Sequence, residues 1–150
     1  MANPTMLAMI AGMILSFAGA SEAPAASHEQ KAGGLVLELN KLDSEATDNN
    51  ACRVYMRVTE GYGENVEQLD VYLVLFDTQD VVLRQYVVPL APLSAQKTRV
   101  RLFDLPETKC GDIGSVLFNG IVACEPSTAA ACMSRKIQLR SKVDNVKLFE

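Results

Sequence analysis

The 150-residue chain predicts an all-β fold, an antiparallel two-sheet sandwich of about seven strands. Three observations carry that prediction. Apolar and polar residues alternate with a period of two in several short runs, the mark of strands buried on one face. Turn-forming residues separate these runs at short intervals. Beyond residue 20, apolar residues nowhere hold a helical spacing over three turns. Apolar residues make up 49% of the chain, enough for one core, and the length leaves little room for a second domain.

The first segment is of another kind. Residues 1–20 carry no charged side chain, residues 6–17 are nearly all apolar, and Ala18-Gly19-Ala20 presents an A-x-A cleavage site. That is the pattern of a secretory signal peptide. The apolar run is short of the roughly 20 residues that span a bilayer, so no stable membrane insertion is expected after cleavage. No Cys closely follows the run, which opposes a lipid anchor, and no twin Arg precedes it, which favours the general secretory route. Residues 21–34 read as a flexible leader, and residues 35–150 as the β-sandwich domain. The only His, His28, falls in the leader and is given no catalytic role.

Within the domain, residues 35–42 alternate Leu35, Leu37 and Leu39 against Val36, Glu38 and Asn40, a first strand. Residues 43–50 are a polar loop. Residues 51–59 show the cleanest alternation, with Cys52, Val54, Met56 and Val58 on one face and Arg53, Tyr55, Arg57 and Thr59 on the other. Residues 60–65 form a turn with two Gly. Residues 66–90 read as a hairpin about Asp77-Thr78-Gln79-Asp80, where Asp77 can accept the backbone N–H two residues on. Its first arm is apolar from Val71 to Phe76 and reads as a central strand buried on both faces. Pro89 and Pro92 stop the second arm. Residues 96–105 resume alternation, placing Lys97, Arg99 and Arg101 on one face and Thr98, Val100 and Leu102 on the other. Residues 114–124 predict a strand with a bulge at Asn119-Gly120, residues 125–133 a loop, and residues 134–149 one last strand. The architecture is immunoglobulin-like in the loose sense; without Trp the chain lacks the Cys…Trp…Cys signature of antibody domains.

Four cysteines, Cys52, Cys110, Cys124 and Cys132, imply two disulfides in an exported chain. Cys124 and Cys132 bracket a short loop of small residues that closes easily, which leaves Cys52 for Cys110. The spacing contains no C-x-x-C and no neighbouring His, which opposes a zinc site or a redox pair.

Catalytic chemistry finds few supports. A Ser-His-Asp or Cys-His arrangement needs an imidazole within the fold. Residues 111–114 are too short for a phosphate-binding loop and lead into a strand. The carboxylates Asp77, Asp80 and Asp104 sit at turns or strand ends, where turn-capping and solvated roles prevail over glycoside hydrolysis. Met56, the one methionine in a strand, falls on the buried face. The expectation is a non-enzyme without cofactor or metal. A net charge of −4 opposes general nucleic-acid binding, which needs a basic excess. One feature points to binding. Lys97, Arg99 and Arg101 repeat at every second residue, as do Arg53 and Arg57 at a wider interval; if their strands are neighbours, the five form a basic stripe on the outer face, suited to an acidic partner.

Several short motifs occur in order: Glu38-Leu39-Asn40 before Leu42, Cys52-Arg53-Val54, VLFDT at 74–78, Ala91-Pro92-Leu93, CGDIGSVLFNG at 110–120 and Ala123-Cys124-Glu125. Over residues 35–132 this order resembles a family of small exported, periplasmic proteins of Gram-negative bacteria that accompany biopolymer-transport proton-channel systems. The resemblance implies a periplasmic accessory role with an envelope protein as partner, and it brings no catalytic residue. The function expected is therefore a non-catalytic protein-binding or accessory component of a cell-envelope transport complex. The alternative is a small-ligand or carbohydrate-binding sandwich, which requires a pocket lined by Tyr side chains; a flat exposed apolar patch favours the protein partner.

Overall fold

A computed structural model describes residues 33–47 and 51–150. The expected signal segment at 1–20, nearly all of the expected leader and the end of the polar loop 43–50 lie outside the described residues. The elements run β1 (Leu35–Asp43), β2 (Cys52–Thr59), β3 (Gln68–Phe76), β4 (Val82–Pro89), β5 (Thr98–Leu105), β6 (Ser115–Glu125), α1 (Ala129–Met133), β7 (Ile137–Ser141) and β8 (Lys147–Phe149). They build two four-stranded sheets, β5-β2-β1-β7 and β4-β3-β6-β8. The fold is the expected all-β sandwich.

Period-two patterning explains the packing. Leu35, Leu37 and Leu39 of β1 and Val54, Met56 and Val58 of β2 turn inward from the first sheet. Leu69, Val71, Leu73 and Leu75 of β3, with Val116, Phe118 and Ile121 of β6, meet them from the second. Each such side chain, once buried, contributes about 1.5–3 kcal/mol of transfer free energy. The chain crosses between sheets after β2, β4, β5, β6 and β7. This sets β2 beside β5 and β3 beside β6, the pairings of an immunoglobulin-type sandwich.

The hairpin forms as expected. Asp77 Oδ1 accepts the backbone N–H of Gln79 at 2.8 Å and of Val81 at 2.9 Å. Asp80 then takes φ 61°, a left-handed conformation that Asp tolerates. β3 lies between β4 and β6, with Val74 buried on its outer side as well.

Three details depart from the expectation. The sandwich has eight strands, because the single last strand predicted over 134–149 is two, β7 and β8, on different sheets. Nor is it wholly antiparallel: β7 runs parallel to β1 and β8 parallel to β6. Both fill edges left open beside strands whose other sides are taken, and a tight turn carries the chain from one edge to the other. Its first backbone N–H, that of Lys142, donates to Leu39 O at 2.8 Å. The loop 125–133 contains α1, capped by Thr128, whose Oγ1 accepts the Ala131 N–H at 3.2 Å. β6 bulges at Asn119 as predicted, and again at Val122.

Two devices tie the ends together. Cys52 bonds Cys110 across 58 residues and Cys124 bonds Cys132 across 8, with Cα separations of 4.9 and 6.5 Å. This is the pairing that loop closure predicts, and each bridge stabilises by about 2–4 kcal/mol. Two disulfides are the bonding of a domain that folds in an oxidising, non-cytoplasmic compartment. Among the described residues, no helix is long and apolar enough to cross a membrane. The second device is Glu60, 1% exposed. Its carboxylate accepts backbone N–H groups from Tyr62 at 2.6 Å, Gly63 at 3.1 Å and Gln96 at 2.7 Å. One buried charge thereby fastens the β2–β3 turn to the β4–β5 loop.

Candidate protein-binding faces

The register between β2 and β5 decides where the five basic residues stand. The strands are neighbours, as the stripe requires, but Arg99 pairs with Val58 and Arg101 with Met56, whereas Arg53 pairs with Asp104 and Arg57 with Val100. Directly opposed residues share a face. Arg99 and Arg101 therefore share the face of the core residues Val58 and Met56, while Arg53 and Arg57 stand outside. The single basic stripe does not form, and Lys97 precedes β5 in a turn. The phase of β5 is set by Phe103 and Leu105, which pack inward opposite Val54 and Cys52. Counting back by twos from these places Arg101 inside.

An inward Arg is tolerated because β5 is an edge strand. The Arg101 stem covers the rim of the core, and its guanidinium donates to the carbonyls of Leu90, at 2.7 Å, and Pro92. Partial burial pulls the Arg101 pKa below its usual value, with the nearby charge of Arg99 adding to the effect. Arg101 is thus a clasp between β5 and the loop that follows β4.

Charges on the outer face of the first sheet meet one another. Arg53 holds Asp104 with two bonds, Nε–Oδ1 at 2.7 Å and a second nitrogen to Oδ2 at 2.9 Å. This pairing lowers the Asp104 pKa and raises that of Arg53. Arg57 lies 3.7 Å from the buried carboxylate of Glu38. Lys41 pairs with Asp43 at 2.7 Å and stands 5.4 Å over the Tyr55 ring. Between the Arg53–Asp104 row and the Thr59–Thr98 row lie the rows Tyr55–Leu102 and Arg57–Val100. Val100 and Leu102 are 51% and 54% exposed. An apolar centre with a charged rim is the composition of a protein interface.

The outer face of the second sheet is different. Its rows are Val87–Tyr72–Gly120, Gln85–Val74–Leu117–Phe149 and Val82–Phe76–Ser115–Lys147. Val87 and Val82 are 56% and 50% exposed. The rings of Phe76 and Phe149 lie 6.3 Å apart, and the Tyr72 hydroxyl bonds Gln85.

Two cavities within the sandwich measure about 20 and 10 Å³, the scale of a water molecule. Tyr62 is the one tyrosine lining either, and its hydroxyl donates to Lys136 O. Two larger clefts, about 230 Å³ beside Arg84 and Glu107 and about 320 Å³ beside Thr78 and Asn145, are open at the surface and have no aromatic lining. Among the described residues, no group of three or more His, Cys, Asp or Glu side chains gathers as metal ligands do. Asp77 and Asp104 are taken up by the turn and by Arg53.

No family model matches the chain, and neither a curated protein nor a solved structure matches it.

Sequence reading missed both apolar patches. The signal for the first was the phase of Phe103 and Leu105. For the second it was the run of nine residues in β3 with a single charge, Asp70.

Proposed function

We propose that this protein is a non-catalytic, protein-binding component of a cell-envelope complex, exported to the periplasm, and that its partner docks on the β5 side of the first sheet. The observation that carries this reading is the pair Val100 and Leu102, each about half exposed beside Tyr55. Arg53, Asp104 and Arg57 frame them. The cavities described within the sandwich are water-sized and the two open clefts have no aromatic lining, which favours a macromolecule over a small ligand. The two disulfides and the signal-like residues 1–20 support export. The order of motifs over residues 35–132 supports association with a transport complex.

The docking surface differs from the basic stripe. Arg53 and Arg57 belong to its rim, where charge tunes association rate and specificity. Arg101 holds the edge of the sandwich, and Arg99 and Lys97 flank it. The test is crosslinking in cells followed by affinity capture from envelope fractions. Recovery of one membrane complex in fixed proportion, lost with Leu102→Arg, is expected. Recovery of the same complex with Leu102→Arg, or of no complex from the unaltered chain, overturns the reading.

A further inference from the structure

We propose that the outer face of the second sheet is a self-association surface, occupied by a second copy of this chain stacked face to face about a two-fold axis. This surface is separate from the one assigned to the partner and does not depend on it.

Three observations select a second copy. The first is charge. The chain carries a net charge of −4, so two copies repel one another in general. Three adjacent rows, Val87–Tyr72–Gly120, Gln85–Val74–Leu117–Phe149 and Val82–Phe76–Ser115–Lys147, contain a single charged residue, Lys147. The first sheet, with Lys41, Asp43, Arg53, Arg57 and Asp104 outward, forms no such face.

The second is the placement of the few charges within the strand rows. Glu125 stands at one end of the sheet, in the row Gln68–Glu125, and Asp70 in the next row, Pro89–Asp70–Ala123, where Gln68 Nε2 donates to its carboxylate at 2.6 Å. Lys147 stands at the other end, in the row of Phe76 and Ser115. A two-fold axis lying in the interface along the Tyr72 row reverses the strands. It sets the Lys147 end of one copy over the Glu125 end of the other, on both sides of the axis. An isologous contact must be complementary to itself; Lys147 and Glu125 meet that requirement, while Asp70, one row from the axis, keeps its bond to Gln68 opposite the Val74 row. Sheets packed about 10 Å apart leave room for the side chains of both faces.

The third is size. Strand spacing and rise over β4, β3, β6 and β8 give a face of roughly 500 Å² per copy, or about 1,000 Å² in total. That reaches the lower bound of a specific interface, about 1,000 Å². An interface at that lower bound belongs with the weak, reversible associations.

Sedimentation velocity on the chain as exported and recovered from cells tests the proposal. A concentration-dependent monomer–dimer equilibrium is expected. Val87→Arg and Phe149→Glu each weaken it at least tenfold while circular dichroism and both disulfides stay unchanged. Lys147→Glu and Glu125→Lys each weaken it, and together they restore it. A chain that remains monomeric at every concentration overturns the proposal, as does a dimer indifferent to Val87→Arg. A charge swap that fails to restore association overturns the two-fold arrangement. If Val87→Arg instead removes a heterologous crosslink from cells while the purified chain is monomeric, the face belongs to another protein and the proposal is again overturned. Loss of partner capture with Leu102→Arg reads the other sheet, so the two accounts fail separately.

Discussion

The two sheets present outer faces of opposite character on one shared core. On the first, every row but one carries a charge or an ion pair: Arg53 is closed on Asp104, Arg57 faces Glu38, and Lys41 reaches Asp43. Its exposed apolar residues, Val100 and Leu102, are confined to the margin beside β5. On the second, valines, aromatic rings and amides fill three adjacent rows, and the charges of the strand rows are few: Asp70, Glu125 and Lys147. The inward sides are alike, both rows of Leu and Val, with Met56 on the first and Phe118 and Ile121 on the second. A strand's buried face is governed by packing, while its outer face is free to differ, and it is there that the two surfaces diverge.

Both faces depend on the core between them, so the largest effects come from breaking it. Phe118→Ala, at a fully buried position, is expected to cost about 3–5 kcal/mol and weaken both surfaces together. Denaturant titration checks the first effect, and sedimentation with partner capture the second. A variant that unfolds one face and spares the other indicates two independently folding layers.

The disulfides come next and separate the two ends of the sandwich. Replacing Cys52 and Cys110 by Ser opens the 58-residue loop and is expected to cost about 4 kcal/mol, against about 2.6 for Cys124 and Cys132 across 8 residues. Melting curves of the two double variants give the order; the reverse order makes loop closure the wrong account of their contribution. Glu60→Ala follows, at about 2–4 kcal/mol, because three backbone N–H groups lose one buried acceptor. Glu60→Gln keeps a neutral acceptor and is expected to lose less.

How much of this was legible in the sequence depended on what set each strand's phase. β2 alternates without exception, since Cys52, Val54, Met56 and Val58 all face a closed interior. It could be read directly. β5 could not, because at a sheet edge Arg101 reaches past the core rim to carbonyl groups, and Val100 and Leu102 face water. Local alternation there points the wrong way; only Phe103 and Leu105 hold the true phase. The parallel pairing of β7 and β8 was hidden for another reason. Alternation specifies which side is buried, not which direction a neighbour runs. The five residues of α1 are too few to display a helical period. The disulfide pairing was legible, since one short loop of small residues settled it.

The smallest expected effect concerns the ion pairs of the first face. Arg53 holds the Asp104 carboxyl below its usual value, and Lys41 does the same for Asp43. A depressed folded pKa means stability that is present above the unfolded value of about 3.9 and is lost as pH falls through the folded value. Asp104→Asn is therefore expected to change the melting temperature slightly near pH 7 and hardly at all near pH 2. Asp104 is exposed, so salt should reduce the difference further. An Asp104→Asn effect as large at pH 2 as at pH 7 indicates a packing role instead.

The division of labour between the faces is tested most directly by a crossed experiment with Leu102→Arg and Val87→Arg. Both substitutions fall at exposed positions, where stability changes within about 0.5 kcal/mol are expected. Each variant is measured by sedimentation velocity and by partner capture from the envelope. Leu102→Arg should abolish capture and leave the dimer intact, and Val87→Arg should dissociate the dimer without loss of capture by the monomer. If both variants alter the same readout, or each alters the one assigned to the other, the two faces do not have the separate roles described.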